Sequence, residues 1–97
     1  MIYVDPWIPA PQENGFSEEL EREVSKGHPL FGIEAQCIAR REDCDDYLFQ
    51  LNDKSGRYAV VHLTWNVETS PKWPITEMFA NLDDFKMHRM MPDSEDA

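Results

Sequence analysis

The side chains best suited to chemistry in this 97-residue chain are three histidines, two cysteines and a surplus of carboxylates. An imidazole that is oriented by a carboxylate has the arrangement of a general base. We expect His62 to lie diagonally across two strands from Asp46, with Arg40 opposite Asp46 on the same face, so these three residues form the candidate ligand site. No nucleophile or substrate pocket can be identified beside them, and no catalytic residue is assigned. The structural alternative is a half-buried histidine beside a cross-strand Arg40–Asp46 ion pair.

The spacing of the histidines and cysteines argues against a metal site. The histidines show no HxH, HxxxH or HExxH pattern, and Cys37 and Cys44 form no CxxC pair. Glycine-rich phosphate loops and the GxSxG elbow of serine hydrolases are also missing from the sequence. We therefore expect no metal and no cofactor. The sequence favours a non-enzymatic protein and leaves an enzymatic one open.

Acidic residues supply the second candidate site. Nineteen Asp and Glu residues face nine Lys and Arg residues, so the formal net charge is −10. Such a charge repels nucleic acids and anionic membranes and attracts a basic protein. The candidate partner-binding residues are four carboxylates between two strands and one tryptophan in an irregular stretch: Glu42, Asp43, Asp45, Asp46 and Trp73. The alternatives are a solvated hairpin tip and a tryptophan that packs on the core edge.

Alternating apolar and polar residues predict the sheet that positions these side chains. Three segments alternate, at 33–41, 46–52 and 57–65, and a short fourth strand is predicted at 75–79. A three-residue loop at 54–56, with Gly56 in the left-handed conformation, would place residue 49 opposite residue 61. One face is then a conventional core, made of Phe49, Leu51, Val61, Leu63 and Trp65. The other face is mixed and carries Ile38, Leu48, Val60 and His62.

Helix signals flank this sheet. Ser17 is the predicted N-cap of a helix over 17–26, and Asn81 is the predicted N-cap of a last short helix. The predicted fold class is α+β, an antiparallel three- to four-stranded meander with a short N-terminal helix and a short C-terminal helix.

The chain divides into three parts by composition. Residues 1–15 are predicted to be an extended proline-rich arm, 16–90 a single α+β domain, and 91–97 a disordered acidic tail. Because the sequence has neither an apolar run of about 18 residues nor a secretory signal, we expect a cytoplasmic protein.

Four segments of the sequence resemble a group of small uncharacterised bacterial proteins. They are HPLFG at 28–32, IARR at 38–41, RYAVVHLTW at 57–65 and WP at 73–74. The resemblance covers about residues 28–86, and AVVHLTW is its most specific part. It implies a bacterial, cytosolic, stand-alone domain of the hypothetical single-domain kind, and it carries over no catalytic residue.

These observations lead to three hypotheses. The leading one is a small acidic protein-interaction module, in its most concrete form an immunity- or antitoxin-like inhibitor of a basic partner. The second is a small-ligand-binding or enzymatic domain that uses the His62 face. The third is a homodimeric structural protein in which Ile38, Leu48 and Val60 meet a second copy.

Overall fold

The computed structural model describes residues 3–11 and 15–96. They form one five-stranded antiparallel sheet with a helix on each face. The strands are β1 (Trp7–Pro9), β2 (Ala35–Arg41), β3 (Asp46–Leu51), β4 (Tyr58–His62) and β5 (Thr76–Phe79), and they lie side by side in chain order. The fold is therefore an α+β meander, with five strands rather than three to four. The extra strand, β1, comes from the segment predicted to be an arm, because Trp7–Pro9 pairs with Ala39–Arg41.

Helix α1 (Phe16–Glu23) packs on the first face of the sheet. It begins one residue before the predicted start. Gly15 is its N-cap and makes no side-chain cap bond, so the predicted capping role of Ser17 is wrong. The helix ends at Glu23 because the next residue, Val24, already has an extended backbone.

The C-terminal helix covers the second face. It starts as α2 (Leu82–Phe85), continues through a π-helical turn (Lys86–Met90) and ends as α3 (Met91–Asp96). Asn81 caps it, since its side chain accepts the backbone N–H of Asp84. The segment predicted to be a disordered tail, 91–97, contains α3 over Met91–Asp96, and Ala97 lies outside the described residues. None of the described helices is long and apolar enough to cross a membrane.

The β3–β4 register differs from the prediction by two residues. Phe49 lies opposite Ala59 rather than Val61, and the loop spans five residues, 52–56, because the N–H of Leu51 donates to the carbonyl of Arg57. The Asp53 carboxylate fills this larger loop by accepting the backbone N–H of Ser55 at 3.0 Å. Since the shift is even, every side chain of the hairpin keeps its predicted face.

A β-bulge in β2, in contrast, changes the face of the sheet on which the later side chains lie. Cys37 lies opposite Phe49, but Ala39 lies opposite Leu48, so the register shifts at Ile38. A shift of one residue moves all later side chains to the other face. Arg40 therefore leaves the face on which it was predicted.

The two faces hold separate apolar clusters. The first face buries side chains of α1, the strands and their connections: Leu20, Leu30, Cys37, Tyr47, Phe49, Leu51, Ala59, Val61 and Leu63. The second face buries Trp7, Ala39, Leu48, Val60, Phe79, Phe85 and Met90. Leu48 and Val60 are thus covered within the chain, so the surface offered for a homodimer is occupied.

Candidate functional site

The acidic hairpin between β2 and β3 keeps three of its four predicted contact residues at the surface. Glu42, Asp43 and Asp45 are exposed, whereas Asp46 is only 9% exposed. Arg41 donates two hydrogen bonds to the Asp43 carboxylate, at 2.8 and 2.7 Å, which partly neutralises it. We call residues 42–45 the acidic tip.

His62 and Asp46 do meet, as the sequence analysis predicted. The two residues lie directly opposite each other rather than diagonally, and Nδ1 of His62 is 2.7 Å from Oδ1 of Asp46. Burial opposes ionisation of Asp46, but the hydrogen bonds from His62 and Arg89 outweigh it and lower its pKa below the ordinary 3.8. The exposed imidazole of His62 is therefore hydrogen-bonded to a carboxylate that stays ionised.

The arginine at this site is Arg89 and not Arg40. The Arg89 guanidinium donates to Oδ2 of Asp46, to Glu77 at 3.2 Å and to Asp93 at 2.8 Å. Arg89 was not predicted at this site, because only the docking of the C-terminal helix brings it to β3. The bulge at Ile38, for its part, turns Arg40 away.

A shallow cleft of about 390 Å³ opens beside this pair, lined by Asp46, Val60, His62, Ile75, Glu77 and Arg89. The Arg89 guanidinium in this cleft already contacts three carboxylates, so it has little capacity left to bind an anionic ligand. The lining includes no serine, threonine or cysteine that His62 could activate. The geometry supports a structural brace between β3, β4, β5 and the C-terminal helix.

Neither thiol is suited to nucleophilic chemistry. Cys37 is 3% exposed, and burial raises the pKa of its thiol to about 12. Partial burial also raises the pKa of Cys44 in the acidic tip. Over residues 3–11 and 15–96, no cluster of three or more His, Cys, Asp or Glu side chains could hold a metal ion.

The connection between β4 and β5, residues 63–75, carries the most unusual surface, and we call it the tryptophan loop. Four large apolar side chains on it are exposed: Trp65 by 44%, Val67 by 64%, Trp73 by 39% and Ile75 by 51%. Trp73 was among the predicted contact residues, whereas Trp65 was predicted to lie in the core, because the strand was predicted to extend to residue 65. Strand β4 ends at His62, so Trp65 belongs to the loop.

A buried glutamate fastens the start of this loop. Glu23 is 0% exposed, and its carboxylate accepts the backbone N–H groups of Thr64 and Trp65, each at 2.8 Å. Trp65 has a positive φ of 60°, a conformation that is uncommon outside glycine. The edge of its ring approaches Phe16 and Tyr47, with centroids 6.3 and 6.1 Å apart.

The end of the loop is fastened from the same segment. Nδ1 of the buried His28 accepts the N–H of Leu30 at 3.0 Å, so Nε2 carries the proton and donates to the carbonyl of Pro74 at 2.9 Å. In between, Gly27 lies against Pro71, where an added Cβ would come within 3.3 Å of the proline ring. Residues 23–28 therefore contact both ends of the tryptophan loop, and we call this segment the platform.

The tryptophan loop and the acidic tip lie at the same end of the sheet. The N–H of Leu63 donates to the carbonyl of Asp45 at 3.0 Å, and the N–H of His62 donates to the carbonyl of Ile75 at 3.0 Å. The structure therefore brings the predicted tip and Trp73 to one end. Asp46 is the exception, since its buried carboxylate is bonded to His62 and Arg89.

A groove of about 510 Å³ runs between α1 and residues 30–35. Apolar side chains, among them Leu20 and Leu30, form part of its lining. The charged residues that line it are all glutamates, Glu18, Glu21 and Glu34. Negative charge is therefore concentrated around α1 as well as at the acidic tip.

Comparison of the chain with protein-family models, with curated proteins and with solved structures gave no significant match.

Proposed function

We propose that this protein is a small acidic protein-interaction module whose tryptophan loop docks on a basic partner protein. An immunity- or antitoxin-like inhibitor is the most concrete form of this function. The observation that carries the proposal is that four large apolar side chains are exposed on one loop that is fastened to the platform at three places.

The attachment of the tryptophan loop to the platform should increase its affinity for a partner. Ordering a loop on binding costs free energy, and a loop that is already held in its bound conformation avoids that cost. Tryptophan is among the residues that most often dominate interface energies, because one side chain buries a large apolar area. Trp65 and Trp73 are therefore the expected contact residues.

Charge adds the preference for a basic partner. Glu42, Asp43 and Asp45 stand at the end of the sheet that carries the loop, in a chain of net charge −10. Complementary charge accelerates association and disfavours acidic partners, and salt weakens both effects. An inhibitor of this kind would cover a basic surface of its partner and bury the tryptophans in it.

The charge part of the proposal is tested by affinity capture at low and high salt with a matched pair of variants. The test variant is Glu42→Gln/Asp43→Asn/Asp45→Asn. The control, Glu34→Gln/Asp83→Asn/Glu95→Gln, removes the same three charges from exposed positions elsewhere. We expect a basic protein to be captured at low salt by the wild type and the control, and several-fold less by the test variant. Equal capture by all three proteins would contradict a role for the acidic tip.

A further inference from the structure

We propose that Glu23 is a proton-controlled clamp on the tryptophan loop: its ionised carboxylate holds the backbone of Trp65, and its protonation loosens that hold. This inference concerns the regulation of the proposed docking surface and rests on that function. The clamp itself is a property of the free protein, so it can be tested without a partner.

The geometry shows what the carboxylate does when it is ionised. One oxygen of Glu23 accepts the N–H and the hydroxyl of Thr64, at 2.8 and 3.0 Å, and the other accepts the N–H of Trp65 at 2.8 Å. Hydrogen bonds to an ionised acceptor are roughly twice as strong as neutral ones. They hold Trp65 in a left-handed conformation that a tryptophan rarely adopts without such support.

Hydrogen counting shows why this site attracts a proton. The hydroxyl of Thr64 lies 3.0 Å from Glu23 and 2.7 Å from Oε2 of Glu68, and it also accepts the N–H of Asn66 at 3.3 Å. A hydroxyl has one hydrogen, so it can donate to only one of the two carboxylates at a time. The other carboxylate then faces an oxygen lone pair, and a proton on either carboxyl group removes this conflict.

The charged groups around Glu23 work in the same direction. On α1, Glu19 lies one helical turn before Glu23, and its carboxyl group raises the pKa of Glu23. Arg22 is committed to Glu19, to which it donates two hydrogen bonds of 3.0 and 2.9 Å. From the tryptophan loop, Glu68 adds a third carboxylate. Of the carboxyl groups of Glu19, Glu23 and Glu68, the Arg22 guanidinium pairs only with that of Glu19 among the described contacts.

The balance favours proton uptake above the ordinary range of a glutamate. Burial is the largest influence on Glu23 and raises its pKa above 4.5, and the Glu19 carboxyl raises it further, while the bonds from Thr64 and Trp65 oppose both. A raised pKa means that the folded protein binds this proton more tightly than the unfolded chain does. The stabilising contribution of the group is therefore full below pH 4.5 and is lost as the pH rises through the folded-state pKa. In mildly acidic solution, protonation therefore weakens the charged clamp on Trp65 without a loss of the stability that Glu23 itself contributes.

The experiment is an NMR pH titration of the backbone amides in the intact chain. An amide proton that is bonded to a carboxylate shifts when that carboxylate titrates. We expect the Thr64 and Trp65 amide protons to shift together with one midpoint above 4.5. Glu23→Gln should abolish this shift, and the control Glu18→Gln, an exposed position on the same helix, should leave it unchanged. Amides that do not titrate, that titrate at or below 4.5, or that titrate unchanged in Glu23→Gln would overturn the proposal.

A second variant keeps the test decisive if Glu23→Gln does not fold. Glu68→Gln removes one of the two carboxylates that compete for the Thr64 hydroxyl, so we expect the midpoint to fall in this variant. An unchanged or higher midpoint would contradict the hydrogen count. Failure of the proposed function would look different, since the amides would still titrate while replacing Trp65 and Trp73 had no effect on capture of a partner.

Discussion

The buried Asp, Glu and His side chains of the described structure all have specific hydrogen-bond partners. Asp46 accepts from His62 and Arg89, and Glu23 accepts two backbone N–H groups. Glu19 accepts from Arg22, and His28 accepts the N–H of Leu30 and donates to the carbonyl of Pro74. A buried polar group without its partner costs far more than its hydrogen bond contributes. These residues are therefore where single substitutions should have the largest effect.

Asp46→Asn tests the brace on the second face. The amide carries no charge, so the half-buried Arg89 guanidinium loses one of its three carboxylate partners. We expect the free energy of unfolding at pH 7 to fall by about 1–3 kcal/mol. Urea unfolding measures it, with Asp45→Asn, the exposed neighbour on the acidic tip, as the control that should change little.

The difference in stability between the wild type and Asp46→Asn should also depend on pH, in a direction that follows from the pKa of Asp46. The pKa of Asp46 is lowered in the folded state, so its contribution is present above 3.8 and is lost as the pH falls through the lower folded-state value. The difference between wild type and Asp46→Asn should therefore shrink in strongly acidic solution. A difference that grows on acidification would contradict the brace.

At this scale the sequence predicted part of the site. The two-residue alternation placed His62 and Asp46 on one face, and the structure brings them together. The partner arginine could not be predicted, because Arg40 is turned away by a bulge without a sequence signal and Arg89 arrives from a helix more than forty residues downstream. Glu23 was not selected from the sequence, since nothing local shows that its carboxylate reaches residue 64.

Among the elements, the C-terminal helix contributes one carboxylate, Asp93, that contacts two strands of the sheet. Asp93 accepts hydrogen bonds from Trp7 at 2.9 Å and from Arg89 at 2.8 Å, and it lies 3.3 Å from Arg41. This residue therefore ties α3 to β1, to β2 and to its own helix. The segment reads as a disordered tail from its composition alone, because the partners of Asp93 are distant in sequence.

Asp93→Asn is expected to destabilise the fold by about 1–3 kcal/mol, because the charge that joins two arginines is removed. Thermal unfolding followed by circular dichroism measures the change. Glu95→Gln, exposed two residues later, should leave the midpoint nearly unchanged. Equal effects of the two substitutions would show that the helix end does not dock.

The platform beneath the tryptophan loop can be tested through its glycine. Gly27 has a positive φ of 99° and lies against Pro71, whereas Gly32 has a positive φ of 78° and open space around it. We expect Gly32→Ala to cost about 1–2 kcal/mol from backbone strain alone. Gly27→Ala should cost more, because the added methyl also presses on the loop. Denaturant unfolding compares the two, and a smaller effect at Gly27 would contradict the contact with Pro71.

The sheet itself was largely predictable, because alternation fixes the face of each residue even where the register is wrong by two. The loop length was not, since the Asp53 carboxylate rather than Gly56 alone decides the turn. Strand β1 was hidden by prolines that suit an edge strand as well as they suit an arm. The end of β4 was placed too late, which concealed the exposure of Trp65.

For the molecule as a whole, the two faces of the sheet are used differently. The second face is closed within the chain by Trp7, Phe85 and Met90, which leaves the platform end of the first face and the tryptophan loop as the distinctive surface. Acidic residues surround it at the hairpin tip and on α1. We therefore expect a solution monomer that binds a basic partner, and light scattering of the free protein should give the mass of one chain.

The most direct test of the account replaces the two tryptophans of the loop. Trp65→Ala/Trp73→Ala is compared in affinity capture with Met87→Ala/Met91→Ala, which removes two exposed apolar side chains from the C-terminal helix. Circular dichroism first establishes that both variants are folded. We expect the wild type and the methionine variant to capture the same basic protein, and the tryptophan variant to capture at least tenfold less of it. Capture that is unaffected by the loss of both tryptophans would show that the tryptophan loop is not the docking surface.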